Sequence, residues 1–205
     1  MKKLTLLLFL ICSQLFGQNM SKEEFQKDRF NLGISFLTKG ENERAIKLFN
    51  HALHIITDNK LGQIAFKKCD SLKPIIRKKL NQDIIGNWKK IHKGSNWGIP
   101  DENGIIGEMI TINENEILFF ELYKNAKEWC LVKTEPIVFC KKAEEGSEIY
   151  DVTFTEITFK NKEVWQFYIE EKSGLLKTFL FGHESDDTLS QIICGGISEE
   201  YFKLE

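Results

Sequence analysis

Four histidines and five cysteines are the side chains of this 205-residue chain best suited to metal or nucleophilic chemistry, and their spacing works against both. His51 and His54 stand three apart in a segment that reads as helix, so they share a face. Zinc would need two further ligands, but no Cys-x-x-Cys spacing occurs and no histidine sits near a cysteine in sequence. Solvated surface is the expectation. His183 follows Gly182 in a stretch with Glu184, Asp186 and Asp187, a group that could face a cation but lacks the calcium-loop pattern and its terminal Glu. Turn chemistry accounts for it. Glu170-Glu171 and Glu199-Glu200 are adjacent, and in a strand adjacent side chains point to opposite faces. No Gly-rich phosphate loop, Gly-x-Ser-x-Gly elbow or His-Glu-x-x-His is present. These residues predict no catalytic group, no metal and no cofactor, and a chain that is not an enzyme.

Cys130 and Cys140 flank Glu135 symmetrically. Thr134-Glu135-Pro136 reads as a turn, so residues 128–133 and 137–141 would form a hairpin with the two sulfurs opposite each other. A cross-strand disulfide is then open to them if the geometry allows. Thiols buried as small apolar residues are the other reading. Phe119, Trp129, Phe154, Trp165, Phe167 and Phe179 fall in segments read as strands, where alternation turns some of them inward. They either fill the core of a small barrel or line a cavity that holds an apolar ligand.

The chain begins Met1-Lys2-Lys3, runs apolar from Leu4 to Cys12 and reaches Leu15-Phe16 before Gly17, the layout of a secretory signal peptide. The apolar run is shorter than the ~20 residues that span a bilayer, and cleavage after Gly17 would leave Gln18 first. Lipidation at Cys12 is disfavoured because Ile11, not a small residue, precedes it. No second apolar run follows, so the mature chain is expected to be soluble, without a transmembrane segment, in the periplasm or outside the cell. That setting permits disulfides. Residues 18–82 carry 13 Lys and Arg against 7 Asp and Glu, while residues 83–205 carry 13 Lys against 23 acids. This shift predicts a boundary near Asn81-Gln82-Asp83, and opposite charge would favour docking of the two halves. Nucleic acid is not an expected partner of an exported chain, so the basic faces read as solvated.

In the first half Ser21 reads as the N-cap of a helix over 21–38, with Glu23 and Glu24 in its first turn. Lys39-Gly40-Glu41 makes a turn, and a second helix follows over 42–56. Gly33, Ala45 and Ala52 would let the two helices approach closely, with Leu32, Phe36, Phe49 and Leu53 filling the seam. A third helix carries an apolar stripe of Leu61, Ile64, Ala65, Cys69 and Leu72. Pro74 predicts a break there, then a short helix to about Leu80. Asn31-Leu32-Gly33-x-x-Phe36, Gly40, Ala45-Ile46, Phe49 and Ala52-Leu53 resemble a single tetratricopeptide (TPR) repeat of about 34 residues. The resemblance implies partner binding in a groove lined by the first helix, here Lys27, Phe30, Ile34 and Leu37. Stacked repeats usually need about three units, so a solitary one must find burial elsewhere.

From Ile84 onward short runs of Ile, Val, Phe, Thr, Tyr and Trp alternate with Gly, Asn, Asp and Ser. Ten strands are read: 84–92, 106–112, 116–122, 127–133, 137–141, 150–159, 164–169, 175–181, 189–194 and 201–204. Short turns between them predict an antiparallel meander, and closure into a barrel would remove its edges. Gly86-Asn87-Trp88 resembles the Gly-x-Trp start of the lipocalin-like barrels. That resemblance implies an up-and-down barrel whose closed end is plugged by Trp88 beneath a basic side chain. No arginine follows Arg77, so Lys203 is the residue available to lie over the indole.

The sequence therefore predicts an α+β protein: a signal peptide over 1–17, a TPR-type helical segment over 18–82 and a lipocalin-like antiparallel barrel over 83–205. Its expected role is binding or scaffolding in the cell envelope, with a protein or peptide recognised through the helices or the barrel rim. The alternative is a carrier of a small apolar molecule inside the barrel. The oligomeric state is not legible.

Overall fold

Ser21 opens the first helix as expected. Its Oγ accepts from the Glu24 backbone N–H at 3.1 Å, and the Glu24 carboxylate accepts from the Ser21 N–H at 3.0 Å. This capping box satisfies two donors that the helix start leaves open. The computed structural model describes residues 20–91, 104–141, 153–185, 188–192 and 196–204. The segment read as a signal peptide, with Cys12, lies outside the described residues, as do His92, Asp186, Asp187 and Cys194. Among the described residues no helix is long and apolar enough to cross a membrane.

The architecture is α+β. Three helices come first: α1 (Lys22–Thr38), α2 (Asn42–Ile55) and α3 (Lys60–Ile84). The chain divides into two compact units, Met1–Cys69 and Asp70–Glu205. The division falls inside α3 and not at the charge shift near Asn81-Gln82-Asp83. Leu80 and Ile84, from the last turns of α3, pack in the apolar cluster of the strand-bearing unit and so count with it.

In the helical unit Gly40, with φ +77°, makes the turn between α1 and α2, a conformation that only glycine adopts without strain. Gly33 lies against the Phe49 ring so closely that a Cβ would stand 2.8 Å from it. Ala45, Ile46, Phe49 and Ala52 are fully buried. The face of α1 turned toward α2 is set by Gln26, Phe30 and Gly33, offsets of a helical stripe: Phe30 packs on Phe49 with centroids 5.3 Å apart. Leu32, expected in the seam, is exposed. In α3 Ala65 and Cys69 are buried, but Ile64, expected in the same stripe, is exposed.

Pro74 does not break α3, which runs through it. A proline in a helix interior costs about 3 kcal/mol relative to alanine. Leu72 and Ile76 beside it are buried, each worth about 1.5–3 kcal/mol, and the Lys73 ammonium is held 3.2 Å from Asp70 and 5.4 Å over the Phe154 ring. Burial on both sides of the proline outweighs its local penalty.

The strand-bearing unit holds β1 (Gly86–Lys90), β2 (Ile105–Ile112), β3 (Glu116–Tyr123), β4 (Cys130–Pro136), β5 (Ile157–Thr158), β6 (Glu163–Ile169), β7 (Leu176–Glu184), β8 (Leu189–Gln191) and β9 (Ser198–Lys203). All pairs are antiparallel, in the order β4-β3-β2-β1-β9-β7-β6-β5, with β8 on β7. The last strand thus pairs back on the first. The two ends of the path meet where residues beyond β4 reach β5: Phe139 bridges Ile157, Cys140 N–H donates to Glu156 O, and Thr158 N–H donates to Val138 O. The sheet is therefore a barrel-type antiparallel sheet fastened by one short join.

Three strand readings need correction. Residues 137–141 form only that isolated bridge. Of the run 150–159 the described residues 153–159 hold only the two-residue β5, and Phe154 stands before it at φ +63°. Trp129 precedes β4 and is not in a strand. The turn expected at Thr134-Glu135-Pro136 is absent because β4 runs straight through it. Glu135, 2% exposed, is held by Lys133 at 3.0 Å and by the Lys160 backbone N–H at 2.8 Å. Pro136 falls at the strand end, where a missing donor is tolerated. Without the hairpin Cys130 and Cys140 are not bridged to each other: Cys130 is exposed and Cys140 is buried.

Trp88 sits at the filled end, 2% exposed, and its indole N–H donates to Ile84 O at 2.7 Å. Lys203, its partner in register, places Nζ 5.1 Å from the indole centroid. The Lys203 stem crosses Gly86 so closely that a Cβ there would lie 2.8 Å from Cε, and Gly86 has φ +141°. Ile84, Ile110, Ile112, Ile117, Ile157 and Leu176 complete the apolar cluster around Trp88.

Candidate ligand cavity in the barrel-type sheet

Side-chain alternation fixes which residues face the interior. On β2 the positions Glu108, Ile110 and Ile112 share a face; on β3 they are Ile117, Phe119 and Glu121. The register sets Ile112 against Ile117, Ile110 against Phe119 and Glu108 against Glu121. The isoleucines lie at the filled end and the glutamates at the other. On β9 the sequence Glu199-x-Tyr201-x-Lys203 repeats this gradient, with Lys203 over Trp88 and Glu199 farthest from it.

Between these strands and β6 and β7 lies a cavity of about 240 Å³. Its walls are Phe119, Phe159, Trp165, Phe167 and Tyr201, and its polar groups are Glu108, Glu121, Lys133, Thr178 and Glu199. The rings form one aromatic group. Phe159 stacks with Trp165 at 5.9 Å, meets Phe119 edge-on at 5.9 Å and tilts against Phe167 at 6.3 Å. Offset and edge-to-face pairs of this kind add about 0.5–1.5 kcal/mol beyond burial. Lys133 lays Nζ 4.6 Å over Phe159 and 5.3 Å over Phe119.

A charged cluster borders the rings. Lys90 Nζ lies 2.6 Å from Glu199 and 3.2 Å from Glu108. Burial pulls the Lys90 pKa down, but the hydrogen bonds and charges of Glu199 and Glu108 outweigh it, and the pKa is raised. The Tyr201 hydroxyl donates to Glu199. Burial, then the Glu199 charge, pushes its pKa far up, so it stays a neutral donor. Glu163, which accepts from the Trp165 indole N–H at 3.0 Å, is desolvated but has its pKa lowered by hydrogen bonds from Asn161 and Trp165 and by Lys133. Thr178 is 2% exposed, and among the described residues its Oγ1 has no hydrogen-bond partner.

Of the six aromatics singled out in the sequence, Phe119, Trp165 and Phe167 line the cavity. The other three do not. Trp129 packs on Gly107 of β2, Phe154 lies against Lys73 and accepts from Arg77 Nε through its carbonyl at 2.9 Å, and Phe179 packs on Gly196. Glu108, Thr178, Glu199 and Tyr201 were missed. A charge at the Glu108 position of an otherwise apolar alternate face (Glu108, Ile110, Ile112) was the available signal.

The expected helical groove fares differently. Lys27 is exposed and Ile34 and Leu37 are half-buried, but Phe30 sits in the α1–α2 seam on Phe49. A helix has one face per stripe, and burial of Gln26 and Gly33 turns Phe30 inward. His51 packs edge-on against Phe25 at 5.6 Å. Its pKa is lowered by burial and then by Arg29 and His54. Among the described residues no group of three or more His, Cys, Asp or Glu is arranged to hold a metal ion.

No protein-family model, no curated protein and no solved structure matches the chain.

Proposed function

We propose that this chain is a non-enzymatic binding protein that holds a small molecule in the open end of its barrel-type sheet. The observation that carries this reading is the 240 Å³ cavity walled by Phe119, Phe159, Trp165, Phe167 and Tyr201. Ligand pockets combine apolar walls with a few placed polar groups, and this cavity has both. At about 240 Å³ it lies below the ~300–1,000 Å³ of ordinary ligand pockets, so its ligand is compact. The Gly86-x-Trp88 start with Lys203 over the indole supports a lipocalin-like relationship, and the segment over 1–17 supports export.

Native mass spectrometry of the chain purified from its own source tests the reading. A co-purified mass that disappears in Phe167→Trp, which narrows the cavity, is the expected result. A bare mass, with no small-molecule probe shifting the thermal midpoint, would overturn it.

A second reading, recognition of a protein or peptide by the helical unit, is favoured by one observation. Phe25, Leu32, Ile64 and Phe66 all stand exposed on that unit, Phe66 by half its surface. Crosslinking in the native envelope that captures no protein through this unit would remove it.

A further inference from the structure

We infer that the cavity selects a small organic cation, an ammonium group on a compact apolar body; this rests on the reading that the cavity binds a small molecule. The first ground is charge. Lys90 answers Glu199 and Glu108 and Lys133 is tied to Glu135 at 3.0 Å, which leaves Glu121 as the lining carboxylate with no ion-pair partner among the described residues. An anion entering here meets that carboxylate.

The second ground is register. Glu108 and Glu121 are direct cross-strand partners and both line the cavity. Like charges placed opposite each other destabilise a strand pair. Lys90 offsets that penalty on the Glu108 side, and a bound cation beside Glu121 would offset the rest.

The third ground is a polar group aimed into the same space. Thr178, opposite Glu199 in register, is buried and its Oγ1 has no hydrogen-bond partner among the described residues. A buried hydroxyl left so is costly, and an ammonium N–H would satisfy it. The rings suit the same ligand, because an ammonium is attracted to aromatic faces within ~6 Å. Lys133 over Phe159 and Phe119 already makes that contact at one side.

The test uses the full chain and three probes of matched shape: phenethylammonium, 3-phenylpropionate and ethylbenzene, titrated by tryptophan fluorescence and calorimetry. Phenethylammonium should bind at least about tenfold more tightly than either of the others, and more weakly as salt rises. Glu121→Gln and, independently, Thr178→Val should each weaken the ammonium several-fold with circular dichroism unchanged. If ethylbenzene or 3-phenylpropionate binds as well as the ammonium, the cation inference falls and the cavity reading stands. If none of the three binds at millimolar concentration, both fall. An ammonium preference that neither variant changes would place the cation elsewhere and also overturn the inference.

Discussion

Gln26 and Asn59 hydrogen-bond each other in both directions: Asn59 Nδ2 donates to Gln26 Oε1 at 2.6 Å and Gln26 Nε2 donates to Asn59 Oδ1 at 3.3 Å. The same Gln26 amide donates to Ala52 O at 2.9 Å and Ile56 O at 2.7 Å, while Asn59 Oδ1 accepts from the Gly62 N–H at 2.7 Å. One side chain of α1 thus closes the end of α2, and its partner caps the start of α3. Unpaired carbonyls at a helix end need such donors. Gln26→Leu should therefore cost about 2 kcal/mol, read as a lower urea midpoint with unchanged slope. Gln26→Glu should cost more at neutral pH, since a carboxylate would face two carbonyls. Acidification that protonates it should recover part of the loss. Equal stability of Gln26→Leu and the parent would refute the capping role.

Gly86→Ala should destabilise by roughly 2–3 kcal/mol, from strain at positive φ and from the clash with the Lys203 stem. Gly86→Ala combined with Lys203→Ala should be less damaging than the sum of the two single changes, because the clash is gone while the strain persists. Thermal midpoints of the four proteins give the coupling. Strict additivity would show that the lysine stem does not press on Gly86.

Lys90 supplies a pH dependence. Its raised pKa means the folded state holds the proton more tightly. The stability it contributes is therefore fully present below the unfolded value of about 10.5 and is lost as pH rises through the higher folded value. Tyr201 adds in the same direction, since the unfolded chain gives up that proton first, near pH 10. Lys90→Met should cost about 1–3 kcal/mol at pH 7, discounted for the partial exposure of the pair. It should also flatten the fall in urea midpoint between pH 9 and 11.5. An unchanged alkaline slope would count against the ion-pair assignment.

Pro74→Ala should raise stability by about 1–2 kcal/mol. The exposed proline sits inside a continuous helix, where alanine is ~3 kcal/mol better, less about 1 kcal/mol for the freer unfolded chain. A thermal midpoint at or below that of the parent would mean that the helix bends at this residue for a structural reason.

Thiol labelling in the native state should modify Cys130 well before Cys69 and Cys140, because of these three Cys130 alone is exposed. Peptide mapping after a short maleimide pulse reads this directly. A Cys130–Cys140 disulfide peptide would contradict the run of β4 through Glu135.

The helical hairpin was legible because small residues mark close approach and a turn glycine marks its reversal: Gly33, Gly40, Ala45 and Ala52 have few other uses in such spacing. Gln26 was not legible, since a buried amide on a helix seam has no apolar signature. Pro74 and Thr134-Glu135-Pro136 were misread by rules that hold for isolated segments. What overrides those rules comes from far along the chain: Phe154, which meets Lys73 and Arg77 on either side of Pro74, and the Lys160 N–H, which reaches Glu135. Alternation placed the aromatics on two faces but could not tell which face was inside. That choice depends on register, so Phe119 and Phe167 were found together with Phe179, which packs outward on Gly196. The acidic end of the cavity escaped because its glutamates lie on three different strands.

The join between the ends of the sheet gives the strand unit a latch. Among the described residues eight of the nine strands are locked by longer ladders, but β5 contributes two residues and meets the continuation of β4 through one bridge. Regions with few backbone bonds open at the lowest free energy. The wall should therefore part along the line from Phe139 to Ile157 before anywhere else. Because Phe159, a wall of the cavity, follows β5 directly, the latch doubles as a side door to the interior.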